Sequence, residues 1–387
     1  RSPTVTGVQT CALPILYLNE AYHPVVGFMA GFTDWLIGGP GSLAAISIAI
    51  MTVAKSFVDI GEFGIKMAAI FIIAVLTITN LFGVKIASTV QNLSMIAKLV
   101  PIGIVMFAAL FVGKVSPDLT LGSARVYAQA ENTHLFAMLA IAVVATLWAY
   151  EGWTNLNIVT EEMKNPQKNL PLALIIGIGG ITILYTLFNF AIMKVLPHDE
   201  IVSMIGSGDL YLGTAVAKKV LGTAGVTIVS VGMILAMFGS LNGLVMAQPR
   251  MYYAMAEEGH FFKSFAKLHP KYKVPTMPIL VQGALAIVLV LLRNLDQLTN
   301  LVVITAMFFS VLTILAVPIL RKKYPNIERP YKVWLYPVSV YLTAIIFFAL
   351  FVQGAIEDPV TGVTGLVVPL LGLITYFVFD RKLKKEN

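Results

Sequence analysis

The chain has 387 residues, of which 58% are hydrophobic and 12% charged, whereas an ordinary water-soluble domain carries about a quarter charged residues. That composition excludes a soluble globular protein and predicts an all-α polytopic membrane protein. The formal charge of +7 does not point to nucleic acid, because the basic residues lie in short connections between apolar runs, where they report topology.

At the beginning of the chain, Val5–Ile15 reads as the translation of a sequencing adapter. Arg1–Ile15 is therefore set aside as non-native, and 16–387 is taken as a single transmembrane domain. The only cysteine, Cys11, falls in the excluded stretch. Disulfides, thiolate-bound metals and thiol chemistry are accordingly not expected.

Ten apolar spans follow, each near the roughly 20 residues a bilayer core requires. They are Val25–Val53, Ile65–Leu81, Val90–Val112, Phe136–Ile158, Leu172–Val195, Ala224–Met246, Pro278–Leu292, Leu301–Leu320, Val333–Val352 and Val363–Phe379. Lys and Arg divide seventeen to eight between alternate connections. The richer set, which includes the tail Arg381, Lys382, Lys384 and Lys385, is assigned to the cytoplasm. Two connections carry helical patterns of their own. Gln248–Gly259 reads as a helix continuing from its span and stopped by glycine. Pro197–Gly222 suits a short helix over an entrance, or a structured loop with no gating role.

The fourth span is interrupted by Leu147-Trp148-Ala149-Tyr150-Glu151-Gly152-Trp153. A carboxylate followed at once by glycine inside a bilayer-length segment is costly unless it faces a cavity or a partner. The stretch reads as a broken helix whose freed N–H and C=O groups serve as ligands for a charged small molecule. A simple kink with an interfacial Glu is the bland alternative.

Asp34 and Trp35 on the first span, and Lys98 on the third, are further polar groups at membrane depth. Lys98 either snorkels to the surface or provides a fixed positive charge. In the sixth span, Gly239-Ser240-Leu241-Asn242-Gly243 combines small residues that favour close packing with an amide that needs a partner when buried. All five histidines lie in connections or at span ends, so no intramembrane metal or acid/base cluster is expected. A phosphate-binding loop of the Gly-x-x-x-x-Gly-Lys-Ser/Thr kind is missing as well. Neither an enzyme nor a cofactor is predicted.

Several separated blocks carry a resemblance to a known family. They are Leu147–Trp153 with Thr160-Glu161-Glu162-Met163-Lys164-Asn165-Pro166, Phe238–Gly243 with Arg250 and Glu258-Gly259-His260, and Glu328-Arg329-Pro330-Tyr331-Lys332-Val333. Together they resemble the amino acid–polyamine–organocation superfamily, and within it the L-type amino acid transporters, notably bacterial serine/threonine exchangers. The resemblance implies a LeuT-like fold of twelve helices with two inverted repeats, of which these ten spans would be the third to the twelfth. The first two helices would then be absent, and with them half of the binding site.

By position, the resemblance makes Trp148 the aromatic closing over substrate and places Ala149, Tyr150, Glu151, Gly152 and Trp153 around it. Lys98, with Ser240 and Asn242, would stand in for a sodium site. The implied activity is sodium-independent exchange of neutral L-amino acids by alternating access across a bacterial cytoplasmic membrane. A proton-coupled amino acid or amine symporter using Glu151, and a non-transporting amino acid sensor, are the competing readings. The expected partners are an amino acid and the lipid bilayer, with no disulfide-linked subunit, because the Lys55–Gly64 loop has no cysteine.

Overall fold

The computed structural model describes residues 13–55, 57–58, 60–82, 84–117, 119, 139, 142–143, 146, 148–150, 152, 165–207, 212–257, 259, 261–327, 329 and 332–386. Every regular element among them is helical. Helix α1 spans Leu13–Ala21, and α2, Pro24–Thr33, continues through a π-helical turn at Asp34–Gly38 into α3, Gly39–Ala54. Then come α4, Glu62–Asn80, α5, Val84–Val112, a single 3-10 turn at Trp148–Tyr150, and α6, Pro166–Val195. The short α7 covers His198–Gly206, and α8 covers Leu212–Glu257. A 3-10 turn at Lys263–Ala266 follows, and the remaining helices are α9, Thr276–Leu292, α10, Leu295–Lys323, α11, Val338–Glu357, and α12, Pro359–Glu386.

Seven helical segments among the described residues are long and apolar enough to cross a membrane, and α9 is a shorter apolar helix. Each of the seven overlaps one of the ten expected spans, and the expected Val90–Val112 and Pro278–Leu292 fall on helices whose apolar parts, Lys98–Val112 and Thr276–Leu292, are shorter. The fourth, Phe136–Ile158, lies largely outside the described residues.

Local sequence explains several helix ends. His23 Nδ1 accepts from the Val25 amide (3.3 Å) ahead of Pro24, an imidazole cap followed by the residue best suited to the first helical position. At α10, Asn294 Oδ1 accepts from the Gln297 amide (2.9 Å) while Gln297 Oε1 accepts from the Asn294 amide (3.2 Å), a reciprocal capping box. Arg321, Lys322 and Lys323 occupy the last turn of that helix, where cations favour the dipole. Asp358 caps α12, accepting from the Thr361 amide at 3.1 Å and from its hydroxyl at 2.5 Å. Its carboxyl is held below the usual range by those two bonds.

Two elements depart from the sequence reading. The first span contains a π turn that hydrophobic periodicity gave no sign of. Helix α11 begins at Val338 and not at Val333, because the residues just before Pro337 are disfavoured from the helical region and Leu335 takes φ 52°. The amphipathic extension of the sixth span is helical to Glu257, and Gly259 follows at φ 82°. Helix α7 forms in the Pro197–Gly222 connection, and Gly222, at φ 66° and ψ −155°, separates it and a following helical stretch from the main body of α8.

Helix α8 forms the spine. Near its beginning, Val216, Ala217 and Val229 share a buried cluster with Val105, Met106 and Ala109 of α5 and Ala191 and Ile192 of α6. Further along, Leu241 and Val245 pack with Leu43 of α3, Ile73 of α4 and Ile279 of α9. Its end places Tyr252 and Met255 in an aromatic cluster with Phe28, Phe32, Phe261 and Tyr376. Ile15, within the stretch assigned to the adapter, is buried in that same cluster. Pro101 lies against Gly232, and the α5 residues beyond Pro101 meet α8 residues before Gly232, so the two helices run antiparallel.

Candidate functional site

At the interruption of the fourth span, the backbone stops being α-helical. Trp148–Tyr150 forms a 3-10 turn, and Gly152 follows at φ 102°. Such a positive φ is open to glycine and strained for nearly every other residue. A segment that tightens to 3-10 and then turns left-handed leaves carbonyls without helical partners. One of them, the Ala149 carbonyl, accepts from the Tyr185 hydroxyl of α6 (3.1 Å). The Tyr150 ring meets the Tyr185 ring edge-on at a centroid distance of 5.3 Å. Glu151 and Trp153 lie outside the described residues. Tyr185, a hydroxyl in the middle of an apolar helix, was the signal that sequence reasoning passed over.

Lys98 lies on α5, one turn before Pro101, and is half-buried. Because α5 and α8 are antiparallel at the Pro101 and Gly232 crossing, Lys98 and Ser240 lie on the same side of it. At 1.5 Å per residue they are offset by about 7 Å along the shared direction.

Ser240 and Asn242 do not present a common face. Two residues on a helix differ by about 200°, and accordingly Ser240 is exposed while Asn242 is buried at 5% exposure. The Ser240 hydroxyl donates back to the Ala236 carbonyl (3.2 Å). Asn242 Oδ1 accepts from Asn80 Nδ2 of α4 (3.4 Å), and Asn80 also donates to the Leu76 carbonyl (2.8 Å). A partner of the buried amide is thus another asparagine that the sequence alone did not single out.

A second polar contact ties α8 to the π turn. The Tyr252 hydroxyl lies 3.1 Å from Asp34 Oδ2 and 3.3 Å from the Asp34 carbonyl. Tyr252 is fully buried, so the pair satisfies a carboxylate that would otherwise be costly at that depth. Trp35 packs edge-on against Phe261 (5.2 Å). No group of three or more His, Cys, Asp or Glu that could hold a metal occurs among the described residues.

The amino acid permease family model matches residues 14–379. The serine/threonine exchanger SteT of Bacillus subtilis is 31% identical over 368 residues, covering 95% of this chain and 81% of that protein. The mouse b(0,+)-type amino acid transporter 1 is 28% identical over 94% of this chain and 73% of its own length. The human cystine/glutamate transporter is also 28% identical, over 94% of this chain and 71% of its own length.

Proposed function

The chain belongs to the amino acid permease family of the amino acid–polyamine–organocation superfamily, and from that premise we propose that it exchanges neutral L-amino acids across a membrane without sodium. Amino acid transport by a multi-pass helical protein, and not enzyme catalysis, comes with the family. The choice of substrate, the coupling and the site residues form the proposal.

One observation carries the site assignment: the 3-10 turn at Trp148–Tyr150 followed by Gly152 at φ 102°. A helix broken inside an apolar segment offers backbone carbonyls to an ammonium group, as unwound transporter helices do. Ala149, Tyr150, Glu151 and Gly152 supply that backbone, and Trp148 and Trp153 flank it. The carboxylate of Glu151 would repel an acidic side chain, which favours neutral substrates over the glutamate named for one relative.

Lys98 acts as a fixed cation on the cytoplasmic side of the α5 and α8 crossing, the side on which Ser240 lies, while Asn242 on the other face of α8 meets Asn80 instead. It replaces the charge a bound sodium ion would supply and so makes sodium unnecessary. The tail beyond Phe379 faces the cytoplasm, and the spans number ten when α5, α9 and the segment 136–158 are added to the seven long apolar helices, in an inverted-repeat arrangement.

The test is counterflow in proteoliposomes, using this chain together with any upstream sequence its gene encodes. Labelled serine should enter only when unlabelled amino acid is inside, and equally well with choline in place of sodium. Uptake into empty vesicles would remove exchange, and an absolute need for sodium would remove the Lys98 role.

A further inference from the structure

We propose that the junction of α10 and α11 is a binding site for an anionic phospholipid. Arg321 lies in the last turn of α10, and its guanidinium stacks 3.8 Å above the Tyr336 ring. Its neighbour Lys322 is exposed, as is Lys332 on the connecting segment. Among the described residues, none of these three cations has a carboxylate partner, whereas Lys323 is engaged by Glu20 at 3.2 Å. Among the described residues the result is a concentration of positive charge, without a carboxylate partner, at the end of an apolar helix.

The described residues of the connecting segment are tied down at both ends. Arg329 donates to the carbonyls of Tyr324 (2.5 Å) and Ile327 (3.0 Å), and the Ser339 hydroxyl donates to the Trp334 carbonyl (2.6 Å). Leu335 takes φ 52°, a conformation that a branched side chain adopts only when its surroundings enforce it. The segment so fixed presents Trp334 with 77% of its surface exposed. From there an exposed apolar stripe continues down α11 through Val338, Tyr341, Leu342 and Ile345, the spacing of one helix face.

The order of groups along this surface matches one lipid molecule. Cations come first, then two amphipathic rings of the kind that settle at headgroup level, then about 10 Å of helix face along which an acyl chain can lie. Charge complementarity selects an anionic headgroup, and the adjoining stripe selects a lipid over a soluble anion. Each cation near such a headgroup is worth about fivefold in affinity.

The experiment follows the thermal unfolding midpoint of the purified chain in a neutral detergent, titrated with phosphatidylglycerol, phosphatidylcholine or inorganic phosphate. Phosphatidylglycerol should raise the midpoint at the lowest concentration, and R321Q/K322Q should weaken that response roughly 30-fold. The charge-preserving R321K/K322R should retain most of it. K267Q/K271Q, an equal charge loss elsewhere, should leave it within about twofold. Should R321Q/K322Q fail to fold, W334A provides the second reading, with an expected loss of response to phosphatidylglycerol. Equal responses to both lipids, an equal effect of phosphate alone, an equal loss in K267Q/K271Q, or an unchanged response in W334A would each overturn the proposal.

Discussion

Gly152 shows how one residue can set a local path. At φ 102° an added Cβ is strained whatever space surrounds it, at a cost of about 1–3 kcal/mol. Gly152→Ala is expected to lower the unfolding midpoint and to reduce counterflow more than a remote substitution of equal thermal effect. Glu20 makes a different kind of prediction. The Tyr324 hydroxyl (2.6 Å), then Lys323, hold its carboxyl below the usual range. A carboxyl whose folded value is depressed contributes fully above its unfolded value and loses that contribution as pH falls through the folded one. The midpoint of the unmodified chain should therefore exceed that of Glu20→Gln at neutral pH, and the two should converge in acid below about pH 4. Because the cluster is exposed, the difference should be small; an equal gap at both pH values would contradict the assignment. Gly152 was legible in the sequence as a glycine beside an intramembrane carboxylate. Glu20 was not, because its partners Lys323 and Tyr324 are about 300 residues away in the chain.

Helix crossings govern the next scale. Gly283 of α9 sits so close to Thr77 of α4 that an added Cβ would lie 2.5 Å from Oγ1 and 3.0 Å from Cγ2. Gly283→Ala is expected to destabilise by about 1–3 kcal/mol, the usual cost of overpacking. The adjacent Gln282 is buried at 1% exposure, with neither amide atom hydrogen-bonded. A buried polar group without a partner forfeits about 1–3 kcal/mol. Gln282→Leu should consequently raise the unfolding midpoint, and a clear fall would show that the amide has a partner in the folded protein. Hydrophobic runs located α4 and α9 well, because a bilayer demands long apolar segments wherever they pack. Those runs carried no information about which faces meet. For the same reason the π turn at Asp34 and its partner Tyr252 went unread: the bond joins positions 218 apart in sequence.

Alternating access belongs to the whole molecule, since it requires one group of helices to move against another while the substrate stays near the midplane. If Trp148 closes over the substrate, Trp148→Ala should reduce exchange at least tenfold, on the order of the 1.4 kcal/mol expected from losing much of a buried aromatic contact, while leaving the unfolding midpoint nearly unchanged. Normal exchange kinetics in that variant would discard the gate. The sequence by itself determined the membrane class, the approximate limits of most spans, the helical extension to Glu257 and the broken segment around Trp148. Each follows from local chemistry: apolar length, charge placement, glycine and proline. Tertiary structure decided the rest. It set Ser240 and Asn242 on opposite faces, gave Asn242 to Asn80, brought Tyr185 to the Ala149 carbonyl, and crossed α5 and α8 at Pro101 and Gly232. In an apolar bilayer, side chains of similar hydrophobicity do not specify which helices adjoin. The close contacts of small residues and the few polar pairs do, and those become visible only once the chain has folded.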